Sequence, residues 1–338
     1  MDTPPTAFSI IIPVYNRPDE VRELLESLLI QTNSDFEVII VEDGSSVCCD
    51  KEVDRVRELL RIQYVRVPNG GPAAARNIGA QMAVGEYLLI LDSDVVLPSG
   101  YIAAVKKRIE QMQADAFGGP DAAAEGFSPI QKAINYAMTS FFTTGGIRGG
   151  RSRRVRLDKF YPRSFNLGCK LSVYRRLGGF SEEMRFGEDI DFSLRLFKAG
   201  YNVYLFPEAF VFHKRRIDFK KFFRQVYNSG IARIHLQRRH PGSMKPVHIL
   251  PALFTLGSVI LAVGQFFCPW SLLPLLLLAL LFLLDAWHTN RSLRIAILAV
   301  PASFVQLWGY GSGFLVACWR CYVLGHQEFR AFDKTFYN

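Results

Sequence analysis

Two apolar runs in this chain end in carboxylates: Phe36 to Val41 leads into Glu42-Asp43-Gly44, and Tyr87 to Leu91 leads into Asp92-Ser93-Asp94. In an open α/β sheet the carboxyl ends of buried parallel strands face one crevice, so acidic groups placed there can meet a single ligand. A third run ends in Pro13-Val14-Tyr15-Asn16-Arg17-Pro18 and puts an amide and an aromatic ring, able to stack on a base, at the same edge. In Gly70-Gly71-Pro72-Ala73-Ala74-Ala75-Arg76-Asn77 small residues open a helix. Such a helix start admits a phosphate, and an arginine fork one turn in can grip diphosphate oxygens. The dinucleotide fingerprint Gly-x-Gly-x-x-Gly is absent at that place. Glu188-Asp189 stands where a helix-like stretch, Ile190 to Ala199, begins. Acids are favoured at a helix start for capping and dipole reasons alone.

The elements that must position these groups are legible as alternation. Apolar runs at Phe8 to Val14, Phe36 to Val41, Ile62 to Val67 and Tyr87 to Leu91 are separated by stretches with helical spacing, roughly Asp19 to Gln31, Lys51 to Leu60 and Pro72 to Val84. Strand, helix, strand repetition implies a parallel sheet, and near-continuous apolar strands imply that helices cover both of its faces. The expected class is α/β, doubly wound and mostly parallel.

Composition changes near His248. Ile249 to Phe267, Leu272 to Leu284 and Leu293 to Trp319 are almost wholly apolar, and the roughly 20 residues needed to span a bilayer are reached or approached in each. Basic residues flank the first two runs (Arg238, Arg239, Lys245; Arg291, Arg294), which predicts a hairpin with both ends in the cytoplasm. The third run holds Pro301 and the polar, glycine-rich Gln306 to Gly313, so it crosses, kinks or re-enters. No cleaved signal peptide is evident at the N-terminus, which places the first domain in the cytosol. The expected organisation is a catalytic domain at 1–215, an amphipathic interfacial segment at 216–246, a membrane domain of two to three helices at 247–322, and a tail at 323–338.

The net charge of +9 in 338 residues is concentrated in Arg148 to Arg163 and Lys214 to Lys245. The first stretch reads as a loop able to close over the site. In the second, Phe219, Phe222, Phe223, Val226 and Tyr227 recur at helical spacing among basic residues, as in an interfacial helix near anionic lipid. No recognition motif accompanies the charge, so nucleic acid is not an expected partner. The six cysteines form no convincing metal pairing and read as reduced, structural thiols.

The order Pro13-Val14-Tyr15-Asn16, Glu42-Asp43-Gly44-Ser45, Gly71 to Asn77 and Asp92-Ser93-Asp94 resembles glycosyltransferase family 2 with the GT-A fold. The resemblance covers roughly residues 8 to 215. It continues through Asn166-Leu167-Gly168-Cys169, Gly178-Gly179-Phe180, Gly187-Glu188-Asp189-Ile190-Asp191 and His213. It implies transfer of a sugar from a nucleotide-sugar, usually with inversion.

Carried over by position, the resemblance implies that Pro13, Tyr15, Asn16 and Asp43 line the nucleobase and ribose. It puts Arg76 on the diphosphate side, Asp92 at the ribose or metal shell, Ser93 among the nucleotide-sugar contacts, and Asp94 on a divalent metal, Mg2+ or Mn2+. His213 completes the metal or diphosphate site. Asp189 is the implied base, with Asp191 second and Glu188 beside them. A base suits a hydroxyl acceptor, such as a lipid-linked or envelope glycan, whereas a polyprenyl phosphate is already ionised and needs none. Processive synthases of the family carry Gln-x-x-Arg-Trp where this chain reads Gln225-Val226-Tyr227-Asn228-Ser229-Gly230, so addition of a single sugar is expected. A uridine diphosphate sugar is the first expectation for the donor. A polyprenyl-phosphate glycosyltransferase and a silent sugar-nucleotide-binding scaffold are the alternatives. The expected location is the inner membrane of a cell, with the catalytic domain in the cytoplasm and membrane lipid as a partner.

Overall fold

A computed structural model describes residues 6–122, 127–146, 160–184, 186–213 and 218–329. The expected basic loop, apart from Arg163, lies outside the described residues, as do Lys214 to Ile217 and residues 330–338. The chain divides into two compact units, 1–124 with 150–214, and 125–149 with 215–338.

The first unit is built on strands β1 (Phe8–Val14), β2 (Phe36–Asp43), β3 (Ile62–Val67) and β4 (Tyr87–Leu91), which alternate with helices α1 (Pro18–Leu29), α2 (Asp50–Asp54) and α3 (Pro72–Met82). After β4 come β5 (Val95–Val96), α4 (Tyr101–Met112), β6 (Ala116–Gly118) and β7 (Asp121–Ala122). Seven strands form one sheet in the order β3-β2-β1-β4-β8-β6-β9, where β8 is Asn166–Lys170 and β9 is Val203–Leu205. Strand β1 is parallel to both β2 and β4, with Phe8 opposite Phe36 and Tyr87, while β8 runs antiparallel to β4 and β6.

The pleat explains why these runs are apolar throughout. Ile10 and Ile12 pack with Val21, Leu24 and Leu28 of α1, whereas Ile11, Ile39 and Ile90 pack with Ala73, Ala75 and Ala80 of α3. Because β1 connects outward to β2 and β3 before the chain returns to β4 on its other side, strand order reverses between β1 and β4. That is where a crevice opens at the carboxyl ends. A second small sheet, β5-β10-β7 with β10 at Val211–His213, lies beyond β4. The unit also holds α7 (Leu171–Arg176) and α8 (Glu188–Lys198).

The second unit takes α5 (Pro129–Thr139) and α6 (Phe141–Thr144) out of the middle of the sequence and joins them to α9 (Phe219–Arg239), α10 (Leu250–Gly264), α11 (Leu273–Asn290) and α12 (Leu293–Cys318). The expected catalytic domain 1–215 does not show this excursion. Its cause is the apolar face of α5, where Ala133, Ile134, Ala137 and Met138 bury against Ala296, Ala299 and Ala302 of α12. Among the described residues three segments are long and apolar enough to cross a membrane: Pro246–Gly264, Leu273–Asn290 and Leu293–Val323.

Helices α9 and α12 approach backbone to backbone. A Cβ on Gly313 would collide with the Tyr227 carbonyl, one on Gly230 with the Tyr310 carbonyl, and one on Gly309 with Val226. Glycine is required there because no side chain fits between the two helices. Gly313→Val is therefore expected to destabilise the second unit by about 1–3 kcal/mol, the usual range for overpacking. Thermal unfolding in detergent checks this, and an unchanged midpoint would contradict the contact.

Candidate active site

The crevice at the ends of β1 and β4 is organised by arginine–carboxylate pairs. Arg17, in the turn after β1, holds Asp94, in the turn after β4, with Nη1 2.5 Å from Oδ2. Adjacent parallel strands bring the two loops together although they are 77 positions apart. Arg76 of α3 donates from Nη2 to Asp92 at 2.7 Å and from Nη1 to Glu188 at 2.9 Å, and its guanidinium lies over the Phe180 ring. Arg163 reaches Asp189, Nε to Oδ2, at 2.9 Å. Arg195 pairs with Asp191 one helical turn away and also donates to the Leu177 and Gly179 carbonyls.

Helix α8 is brought to this crevice by the loop in front of it. Asn77, next to Arg76 on α3, accepts from the Phe180 N–H and the Tyr174 hydroxyl and donates to the Phe180 carbonyl and Glu182. The loop then turns through Gly187 at φ +81°, a left-handed position that suits glycine, and α8 starts with Glu188. The consecutive residues Arg76 and Asn77 thus dock both the first acid of α8 and the turn that precedes it.

Glu188 and Asp189 are both buried. Burial, and after it the neighbouring Asp189 charge, pushes the Glu188 carboxyl up to about 7, with the Arg76 charge opposing that rise.

Placement of the other expected residues is varied. Pro13 and Tyr15 are half-buried at the end of β1. Asn16, at φ +53°, uses its side-chain oxygen to accept from the Ser46 and Val47 N–H groups, so it shapes the loop after β2. Asp43 accepts from the Gly70 and Gly71 N–H groups at 2.7 and 3.0 Å, which fixes the turn into α3. Glu42 is spent on Ser45, Cys49 and Tyr64. Ser93 is buried. Arg76, expected on the diphosphate, has a side chain only 4% exposed and is committed to two carboxylates, whereas Asp92 keeps 30% of its side chain open. Asp191 is held by Arg195 and is almost fully buried.

The backbone of His213 pairs opposite Val95, one residue after Asp94, and its side chain lies outside the described residues. Among the described residues no group of three or more His, Cys, Asp or Glu side chains is arranged to hold a metal unaided. Asn166, part of an expected motif, pins strands: it accepts from the Tyr101 hydroxyl and donates to the Ala209 carbonyl.

Sequence reasoning passed over Arg17 and gave Arg163 only to a basic loop. Both are recognisable through their partners alone, Asp94 and Asp189, and no spacing rule links positions 77 and 26 apart.

The family model for glycosyl transferase family 2 matches residues 9–177. An uncharacterised glycosyltransferase of Haemophilus influenzae is 32% identical over 219 residues, covering 62% of this chain and 69% of that protein. The pre-mycofactocin glycosyltransferase of Mycobacterium tuberculosis is 29% identical over 254 residues, covering 71% of this chain and 50% of that protein. A Rickettsia felis glycosyltransferase is 46% identical over 89 residues, only 15% of its own length. The chain thus spans half or less of the mycobacterial and rickettsial relatives. Among solved structures, the mannosyltransferase PcManGT from Pyrobaculum calidifontis, in complex with GDP-Man and Mn2+, superposes with a TM-score of 0.61 at 18% identity over 90% of each chain. S. aureus TarS 1–349 gives 0.51 at 17% identity, over 98% of this chain and 95% of that one. Both likenesses are of fold.

Proposed function

The chain belongs to glycosyl transferase family 2, and from that premise we propose that it transfers one sugar, with inversion, from a nucleotide-sugar to a hydroxyl of a lipid-linked or envelope glycan at the cytoplasmic face of a membrane. The observation that carries this reading is Asp189: a buried carboxylate at the start of α8, balanced by Arg163 and next to the Glu188 that Arg76 ties to Asp92. Asp189 accepts the proton of the attacking hydroxyl while the acceptor oxygen bonds to the anomeric carbon and the bond to the diphosphate breaks on the opposite face. Tyr15 and Pro13 offer the nucleoside an aromatic and apolar edge. Asp43 and Asn16 act by holding the loops around it.

The donor set fits a divalent ion. Asp94 and Asp92 present hard carboxylate oxygens at the strand ends, and Asp94 already holds a cation in the form of Arg17. Asp94, with Asp92 and the donor phosphates, would hold Mg2+ or Mn2+, and His213 is the further candidate. When bound, the ion neutralises charge building on the departing nucleoside diphosphate. GDP-Man occupies PcManGT and UDP-GlcNAc one TarS structure, and we take a uridine diphosphate sugar as the first donor to test.

The test is release of nucleoside diphosphate by detergent-solubilised protein across a panel of nucleotide-sugars, with Mg2+ or Mn2+ and a membrane lipid extract as acceptor source. One donor should turn over in a metal-stimulated way, and Asp94→Ala should bring release down to the metal-free level. Nucleotide binding without turnover of any donor would favour a sugar-nucleotide-binding scaffold.

A further inference from the structure

Helix α9 runs beside α12 for most of its length, and the two advance together. Phe222 and Val226 share a buried cluster with Ala299 and Ala302. Ile231 and Ile234 share the next with Phe314, Ala317 and Cys321. In the last turn of α9, Arg238 donates to the His326 carbonyl and Arg239 pairs with Glu328, both past the end of α12. The glycine contacts between them leave no room for lipid.

This pairing constrains α12 through the charges of its neighbour. Helix α9 carries Lys220, Lys221 and Arg224, then Arg233, Arg238 and Arg239. Its longest uncharged interval, between Arg224 and Arg233, rises only about 13 Å. The hydrocarbon core is about 30 Å thick. If α12 crossed the bilayer, α9 would be drawn across with it, and basic side chains at both ends of that short interval would enter the core. The part of α12 that precedes Ala299 in the cluster it shares with α9, residues 293–298, is itself too short to cross.

Near its base the α10–α11 hairpin packs on α12. Pro251 and Thr255 of α10 lie against Gly311, Ser258 accepts from the Trp308 indole, and Phe282 of α11 packs edge-on to Phe304. Past Ser258 helix α10 runs on for six residues, and before Phe282 helix α11 spans nine, rises of about 9 and 13 Å, and most of these side chains are exposed. Their tip is apolar and open, with Phe266 88%, Phe267 86% and Trp270 74% exposed. No charged residue occurs from Ile249 to Leu284. The longer of these rises reaches about half the hydrocarbon thickness.

We propose that the second unit sits in a single leaflet: α9 and α12 lie along the membrane plane, and the α10–α11 hairpin dips to about mid-bilayer and returns without crossing. The occupant of the open hairpin surface is lipid acyl chain. This rests on the membrane location proposed above.

Nitroxide depth measurement on the full chain in phosphatidylethanolamine–phosphatidylglycerol vesicles tests it. One label goes on the exposed Cys268 at the hairpin tip, with Cys48 and Cys318 replaced by serine. Two others, Ile297→Cys and Trp319→Cys with Cys268 also replaced, mark exposed positions about 33 Å apart along α12. The expected result is a tip label open to oxygen and closed to a water-soluble nickel complex on either side, with the two α12 labels at the same depth. A tip label reached by nickel inside the vesicle, or α12 labels about 30 Å apart in depth, overturns the single-leaflet seating alone. A chain that does not float with the vesicles overturns the membrane location itself.

Discussion

Asp189→Asn is expected to lower sugar transfer by about 10²- to 10⁴-fold, the usual contribution of a positioned general base, and to leave donor affinity unchanged. Asparagine keeps the shape and can still accept from the Ile190 N–H that Asp189 now engages at 2.8 Å, but it cannot take a proton. It also leaves Arg163 without its carboxylate partner, so the control is Arg163→Gln, which removes the same ion pair and keeps the base. Single-turnover rates with the donor identified by the release assay separate the two. Were Asp189→Asn to retain most activity, the acceptor would be one that arrives ionised, and a polyprenyl phosphate would replace the glycan hydroxyl.

Arg76→Gln is expected to cost about 3–5 kcal/mol of stability in the first unit, because it leaves the buried Glu188 carboxylate without its cation and takes the partner of the partly open Asp92 as well. Arg76 is the one cation in contact with both Asp92 and Glu188 among the described residues. The direction with pH follows from Glu188. Its carboxyl is raised in the folded chain, from an ordinary value of 4.5 to about 7, so its ionised form is the costly one. Stability from this group is present below about 4.5 and lost as pH rises through about 7. Without Arg76 the cost of ionising Glu188 grows. The Arg76→Gln loss should therefore be larger at pH 8 than at pH 5, and Arg76→Gln/Glu188→Gln should recover part of it. Urea unfolding at the two pH values measures this. Equal losses at both would mean that Glu188 does not carry the penalty.

These expectations show where sequence reading stops. Strand positions, the β1–β4 crevice, the carboxylates at its edge and the three apolar C-terminal segments are local properties. Each is written in a run of a dozen or so residues, as periodicity, a terminal acid or an unbroken apolar stretch. The family motifs likewise named Asp92, Asp94, Glu188 and Asp189, because backbone turns at strand and helix ends demand particular residues over short spans.

Partners are a different matter. That Arg76 faces Asp92 and Glu188 and not open solvent, that Arg17 sits on Asp94, and that Asn16 and Asp43 spend their side chains on neighbouring loops all depend on segments distant in sequence. An arginine has the same local signature whether it will hold a phosphate or a buried acid. Only tertiary structure decided which charge each one meets. The same holds for α12, whose composition alone reads as a membrane span: the basic helix packed along it is encoded some eighty residues earlier, and packing alone brings the two together.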